Sequence, residues 1–297
     1  MCRFLMYMGE PVSMASLVTE PENSLIKQSY MAKERPEPLN GDGFGVAWYA
    51  PHISPKPAVF KSITPAWNNE NLLDLARVTL SPCILAHVRA ATSSTTVTMS
   101  NCHPFTWREM AFCHNGDIGG FQNIRRKLLS LLSDEAFNIV KGNTDSEHMF
   151  ALYVDHFLRI PDRESNRAAS MATALSTTIK DIAAMARAAD PEEHCYINCA
   201  VTDGIHAVVA HCSTDPSYID SLHIYTGERY ACVKGRTQII SKQAASGAKI
   251  VLVASEPLTN DPGWHNVGLN KIMAIDADRS VISMSVKFED PPAAAAG

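Results

Sequence analysis

The chain has 297 residues, enough to bury a large core in one large domain or two small ones. Hydrophobic residues make up 46% and charged residues 19%, a globular balance rather than a disordered one. A formal net charge of −5 without any Lys/Arg run leaves a nucleic-acid surface unsupported. No apolar run reaches the roughly 18 residues of a membrane span.

Residues 2–8 (CRFLMYM) read as a strand. They lack the ordered basic, apolar and small-residue regions of a signal peptide, so the chain is expected in the cytosol with its cysteines reduced. A polar, Pro-containing stretch runs to Asn40, with helix expected around 18–30. Asn40-Gly41-Asp42-Gly43 is a turn signal ahead of the strand FGVAWYA. Strands are expected at 58–63, 83–89 and 110–114, and helices at 68–78 and 121–132. Thr144 with Glu147 fits a capping box that opens a helix through Leu158. A polar loop and an Ala-rich helix over 167–188 follow. The second half reads as strands near 195–202, 205–212, 222–227, 249–255, 271–276 and 280–287. With no repeat and no linker, the expectation is a single domain over 1–288 and a frayed tail over 289–297. Strands and helices in blocks, without strict alternation, indicate an α+β fold.

Four segments carry chemistry. Cys2 combines a thiol with the α-amino group it would own once Met1 is removed. That amine has a reference pKa of about 7.7–8.0 and can take the thiol proton. Taken alone, Cys2 reads more often as a small buried hydrophobe. His114-Asn115-Gly116 is expected at a turn after a strand, where an Asn amide and a Gly N–H can face one oxygen. A plain Asn-Gly turn explains the same residues. Arg89 ends an apolar strand and suits bidentate capture of a carboxylate, or a surface ion pair. Asp145 can hold an ammonium group, or complement a helix dipole.

Together the ordered segments MCRFLMYMG, NGDGFGVAWY, HVRAAT, NCHPF, HNGDI and NTDSE closely resemble the class II glutamine amidotransferases, of the N-terminal-nucleophile (Ntn) hydrolase superfamily. KSITPAWNNENL, NCHPFTW, GNTDSE and ASEPLTNDPGWHNV are most similar to the branch of the fungal glutathione-degrading amidotransferase subunit and its bacterial relatives. The ergothioneine-pathway relative is also similar. The resemblance implies a four-layer αββα sandwich of two antiparallel sheets flanked by helices. It implies Cys2 as nucleophile and Asn115 and Gly116 as the oxyanion hole. It also implies Arg89 and Asp145 on the α-carboxylate and α-ammonium of a glutamyl head, with Thr92 and His114 at the substrate. Asn40, Gly41, Asp42 and Gly43 would form the loop over the site. Asp117 departs from the small or neutral residue expected there and adds a negative charge.

The implied reaction is hydrolysis of a γ-glutamyl amide through a γ-glutamyl thioester. By resemblance the substrate is glutathione or a related compound, with no cofactor and with a metallopeptidase-like partner subunit. The competing functions are a glutaminase subunit that supplies ammonia to a partner, and a scaffold subunit without chemistry. A structural zinc at Cys102-His103 and Cys113-His114, with Cys195 and Cys199, is disfavoured because the spacing is wrong for zinc. Cys113 and His114 would also face opposite sides of a strand. The leaving-group pocket is open among Trp67, Asn68, His103 and Trp264.

Overall fold

Side-chain alternation along each strand decides which layer that strand feeds. In the computed structural model, which describes residues 2–34, 39–91, 96–218, 220–233, 236–240 and 249–288, the first strand shows this plainly. In β1 (Arg3–Ser13), Phe4, Met6 and Met8 enter one apolar cluster, while Leu5 and Tyr7 enter another. Helices α1 (Ala15–Val18) and α2 (Leu25–Tyr30) follow, then β2 (Phe44–Ala50), β3 (Ser54–Ser62), α3 (Glu70–Val78) and β4 (Leu80–Val88). Next come β5 (Phe105–Trp107), β6 (Met110–Ile118), α4 (Phe121–Leu131), α5 (Asp134–Phe137), α6 (Asp145–Arg159) and α7 (Arg167–Ala189). The chain continues with β7 (Cys195–Thr202), β8 (Ala207–Ser213), β9 (His223–Gly227), β10 (Arg229–Val233) and β11 (Arg236–Ile240). It finishes with β12 (Ile250–Ala254), β13 (Trp264–Asn266), β14 (Lys271–Ile275) and β15 (Val281–Ser285).

The strands form a seven-stranded sheet, β13-β9-β12-β1-β4-β2-β3, a six-stranded sheet, β15-β14-β8-β7-β6-β5, and the β10-β11 hairpin. Every ladder is antiparallel. The two large sheets meet through Phe4, Met6, Leu85, Cys113, Val209 and Val253. Short helices α1 to α3 cover the outer face of the first sheet, and α4, α6 and α7 that of the second. The result is the expected αββα sandwich of α+β class.

Several local expectations are corrected. The helix expected around 18–30 is split into α1 and α2, because Pro21 lacks an amide hydrogen and Ser24 starts a new helix by capping the Lys27 N–H at 3.3 Å. Thr144 caps the Glu147 N–H at 3.2 Å, but the Glu147 carboxylate turns to the N–H groups of Lys141 (2.9 Å) and Gly142 (2.6 Å) rather than closing the reciprocal box. The β10-β11 hairpin is an element that sequence reading did not expect. His114-Asn115-Gly116 is not a turn either. β7 pairs with β6 residue by residue from Ala111 through Ile118, and that ladder keeps the segment extended. The tail over 289–297 lies outside the described residues.

Candidate active site

At one end of the sandwich the facing sides of both sheets change from apolar to polar. Along β1 the inward series Met8, Met6, Phe4 ends in Cys2, and along β4 Cys83 and Leu85 give way to His87. On the opposite sheet Cys113 is followed by Asn115, Ala200 is preceded by Asn198, and Val209 is followed by His211. Asn115, Asn198 and His211 are cross-strand neighbours in register, so they form one polar row.

Cys2 is partly buried, and its sulfur lies 3.4 Å from the Ala90 N–H nitrogen and 3.5 Å from the Ala90 carbonyl. Burial pushes its thiol above the ordinary value; the Ala90 N–H and the Arg89 guanidinium counter this, and Asp145 reinforces it. The resting group is therefore a thiol that needs a base.

Arg89 is buried directly after β4. Its N–H donates to the Gly43 carbonyl (2.8 Å), its carbonyl accepts from the Asp42 N–H (3.0 Å), and Asp42 Oδ2 accepts from the Ala91 N–H (2.8 Å). Segment 40–43 is thus strapped to segment 89–91 beside the Cys2 sulfur. Gly43 holds this strap at φ +108°, where a Cβ would lie 2.7 Å from the Ser62 carbonyl oxygen. Asn40 is buried and donates its N–H to the Ser29 carbonyl at 2.6 Å, and Gly41 packs against Trp67. Thr92 lies outside the described residues.

Asp145, the first residue of α6, accepts from the Ser146 N–H (2.7 Å) through Oδ1 and from the Ile118 N–H (3.0 Å) through Oδ2. The Ile118 N–H therefore points away from β7. The His114 carbonyl accepts from His87 Nε2 at 3.1 Å on the same free side of β6. Antiparallel alternation turns the Gly116 N–H to that side as well. Gly116 is also required by packing, since a Cβ there would sit 1.8 Å from the Tyr196 carbonyl oxygen.

Asn115 faces the inter-sheet gap at 2% exposure, and its buried Oδ1 has no hydrogen-bond partner among the described residues. An unpaired buried acceptor is costly, and turning the amide over would place its Nδ2 donor at the same point. His114 does not reach that gap. As the next strand residue it faces the helix layer, where its ring meets Ser146 Oγ (2.9 Å) and the Tyr196 carbonyl (3.2 Å). The expected substrate contact of His114 is replaced by a supporting position under β7 and α6. Asp117 is raised by lost hydration and then by Asp145, so these two carboxylates share one neighbourhood.

The four residues considered for the leaving-group pocket disperse. His103 is buried, its ring stacked 4.1 Å from that of His87. Trp67 packs edge-on against Tyr30, and Asn68 lies on a separate surface hollow. Trp264 lines a cleft next to Glu256. Sequence reasoning missed the buried ion pair that builds this side: Arg3 Nε meets Glu256 Oε1 at 3.0 Å, and Arg3 Nη1 donates to the Cys2 carbonyl at 2.9 Å. An arginine inside the apolar run CRFLMYM, and Ser-Glu-Pro directly after an apolar strand, were the available signals. No group of three or more His, Cys, Asp or Glu among the described residues could hold a metal ion. No described helix is long and apolar enough to cross a membrane.

Comparison with known proteins bears on the family and the fold. The family model for class II glutamine amidotransferases matches residues 19–294. The chain is 38% identical over 294 residues to the Saccharomyces cerevisiae protein named "Probable glutamine amidotransferase DUG3", covering 93% of this chain and 82% of that protein. It is 36% identical over 119 residues to the γ-glutamyl-hercynylcysteine sulfoxide hydrolase of Mycobacterium tuberculosis, covering 40% of this chain and half of that one. A glutamine aminotransferase class-II domain protein from Silicibacter pomeroyi superposes with a TM-score of 0.63 at 23% identity, covering 96% of this chain and 99% of that one. The glutamine phosphoribosylpyrophosphate amidotransferase of Bacillus subtilis superposes with a TM-score of 0.58 at 14% identity, over 97% of this chain and 50% of that one. The chain belongs to the class II glutamine amidotransferases and is a hydrolase of the γ-glutamyl C–N bond.

Proposed function

We propose that Cys2, freed of Met1, hydrolyses γ-glutamyl amides in two stages, with glutathione among the substrates by likeness to the fungal branch. The Cys2 α-amine takes the thiol proton, and the sulfur attacks the γ-carbonyl. Asn115 Nδ2 and the Gly116 N–H hold the developing oxyanion, and the α-amine returns the proton to the departing nitrogen. The C–N bond breaks, leaving a γ-glutamyl thioester that water cleaves to glutamate and free thiol. Arg89 pairs with the α-carboxylate of the glutamyl head, while Asp145, beside Asp117, takes its α-ammonium. We assign this activity to a single domain in the cytosol, working with a metallopeptidase-like subunit that processes the released half.

One observation carries the reading: Asn115 is buried on the inter-sheet face of β6 with its Oδ1 unpartnered, at the end of the sandwich where Cys2 continues the inward series of β1. The test is glutamate release from glutamine and from glutathione, with intact mass recorded for the same preparation. Turnover by protein lacking Met1, lost in Cys2→Ala, is expected. Turnover that survives Cys2→Ala would remove the nucleophile assignment.

A further inference from the structure

Cys2 leads into β1 of the seven-stranded sheet, whereas Asn115 and Gly116 lie on β6 of the six-stranded one. Ladders within either sheet therefore cannot set the distance between the sulfur and the oxyanion donors. The packing between the sheets is mostly apolar and without direction. A directional contact crosses at this end. Buried His87, on β4, reaches over with Nε2 3.1 Å from the His114 carbonyl oxygen on β6. A carbonyl oxygen only accepts, so Nε2 carries the proton. His87 stands opposite Phe4 on β1, two residues from Cys2, and two residues before Arg89.

The ring is locked in place. The His103 ring stacks on it at 4.1 Å, and Phe105 meets His103 edge-on at 4.6 Å. Room for the stack comes from Gly45, opposite His87 on β2, where a Cβ would overlap the His103 carbonyl oxygen. Nδ1 of His87 is buried without a partner among the described residues, so the His114 carbonyl alone orients the ring through a hydrogen bond. Burial lowers the ring to about 3, which makes it too weak a base to take a proton near neutrality.

The free side of β6 is thus held at two points, the His114 carbonyl by His87 and the Ile118 N–H by Asp145 at 3.0 Å. Gly116 stands midway between them. The peptide plane joining His114 to Asn115 is held at both ends, since the register with β7 places the Asn115 N–H in that ladder. We infer that His87 is a positioning residue: from the sheet that carries Cys2 it holds the His114 carbonyl, and so sets the Asn115 amide and the Gly116 N–H at their working distance from the sulfur. This rests on the reading that β6 holds the oxyanion, and adds to it the group that spaces β6 from the nucleophile.

The experiment uses the full chain with glutamine and compares His87→Gln with His87→Asn. A Gln amide nitrogen reaches the place of the imidazole Nε2, whereas that of Asn stops near Nδ1. His87→Phe is a second donor-free variant, apolar and of similar shape, should a buried orphan amide unfold the first. Alkylation of Cys2 by iodoacetamide is followed in parallel by the mass of the N-terminal peptide. Displacement at a saturated carbon forms no oxyanion, so it reports the sulfur alone. In the donor-free variants kcat is expected to fall about 30-fold, with KM and the alkylation rate within about twofold. His87→Gln should keep kcat within about threefold, with the limbs of its pH profile unmoved. An unchanged kcat in a folded donor-free variant, Gln no better than Asn and Phe, or alkylation falling in step with kcat overturns the inference while the hydrolase reading stands. Loss of the fold in both donor-free variants would make His87 a folding residue and overturn it too. Glutamate release that survives Cys2→Ala instead overturns the reading on which the inference rests.

Discussion

At the scale of single residues, the site divides into groups that neighbours satisfy and groups they leave open. Asp145 spends both carboxylate oxygens on backbone N–H groups, which fixes its position more than its charge. Asn115 is the opposite case, buried with its Oδ1 unpartnered among the described residues. Asn115→Ala should therefore lower kcat by about 10²–10³, equivalent to roughly 3–4 kcal/mol of barrier, and change KM little. Steady-state kinetics on γ-glutamyl amides check this; a variant with normal kcat and raised KM would make Asn115 a binding group only. Cys2, Arg89, Asn115 and Asp145 stood out in the sequence as candidates because each lies in a short ordered segment whose residue types fit one reaction, and the roles given to them here are proposals. Arg3 and Glu256 were not, because the contact that gives them meaning spans 253 positions. His114 misled for a simple reason: adjacency in sequence is opposition across a strand.

At the scale of elements, β6 does the most to organise the site. Its first half is an ordinary buried strand, and its second half supplies Asn115 inward, the Gly116 N–H sideways and the Ile118 N–H to Asp145. Reading Asn-Gly as a turn failed because local turn preference yields to a full ladder with β7, whose register continues to Ile118↔Cys195. That ladder is close at Gly116. Gly116→Ala would press a methyl against the Tyr196 carbonyl and should destabilise the fold by about 2–3 kcal/mol. A urea titration should show the midpoint fall; an unchanged midpoint would mean that β7 gives way easily. The longer periodic elements, such as α7 and β8, were legible from pattern alone, whereas the two-residue-linked hairpin β10-β11 has no strong turn signal on either side.

At the scale of the whole molecule, the layered arrangement was legible from blocks of strands and helices, but not which strands would be neighbours. The space between the sheets also houses an unusual pair, His87 and His103, stacked and buried. Burial is the main reason that His87 is lowered to about 3 and His103 lies well below its ordinary value. The unfolded chain binds a proton at each of these residues as pH falls below about 6.5, and the folded chain does not. Their contribution is thus present at neutral pH and lost as pH falls from 6.5 toward 3. For His87 the loss between pH 7 and 5 is about 2 kcal/mol. The urea midpoint should drop over that range, and the drop should be smaller in His103→Gln. Equal slopes in the two proteins would show that these rings do not control acid stability.

The position of β1 in the seven-stranded sheet bears on how the protein is made. Its two neighbours are β4, joined at Arg3↔Val88, and β12, joined at Leu5↔Ala254. During synthesis the first of these neighbours emerges early and the second only after some 250 residues, together with the carboxylate that holds Arg3. A nascent or truncated chain thus presents its sulfur on a half-finished sheet edge, with the β12 wall missing. The proposed nucleophile is thus translated some 250 residues before the β12 wall that encloses it, so chains that stop short of β12 carry the thiol without that wall.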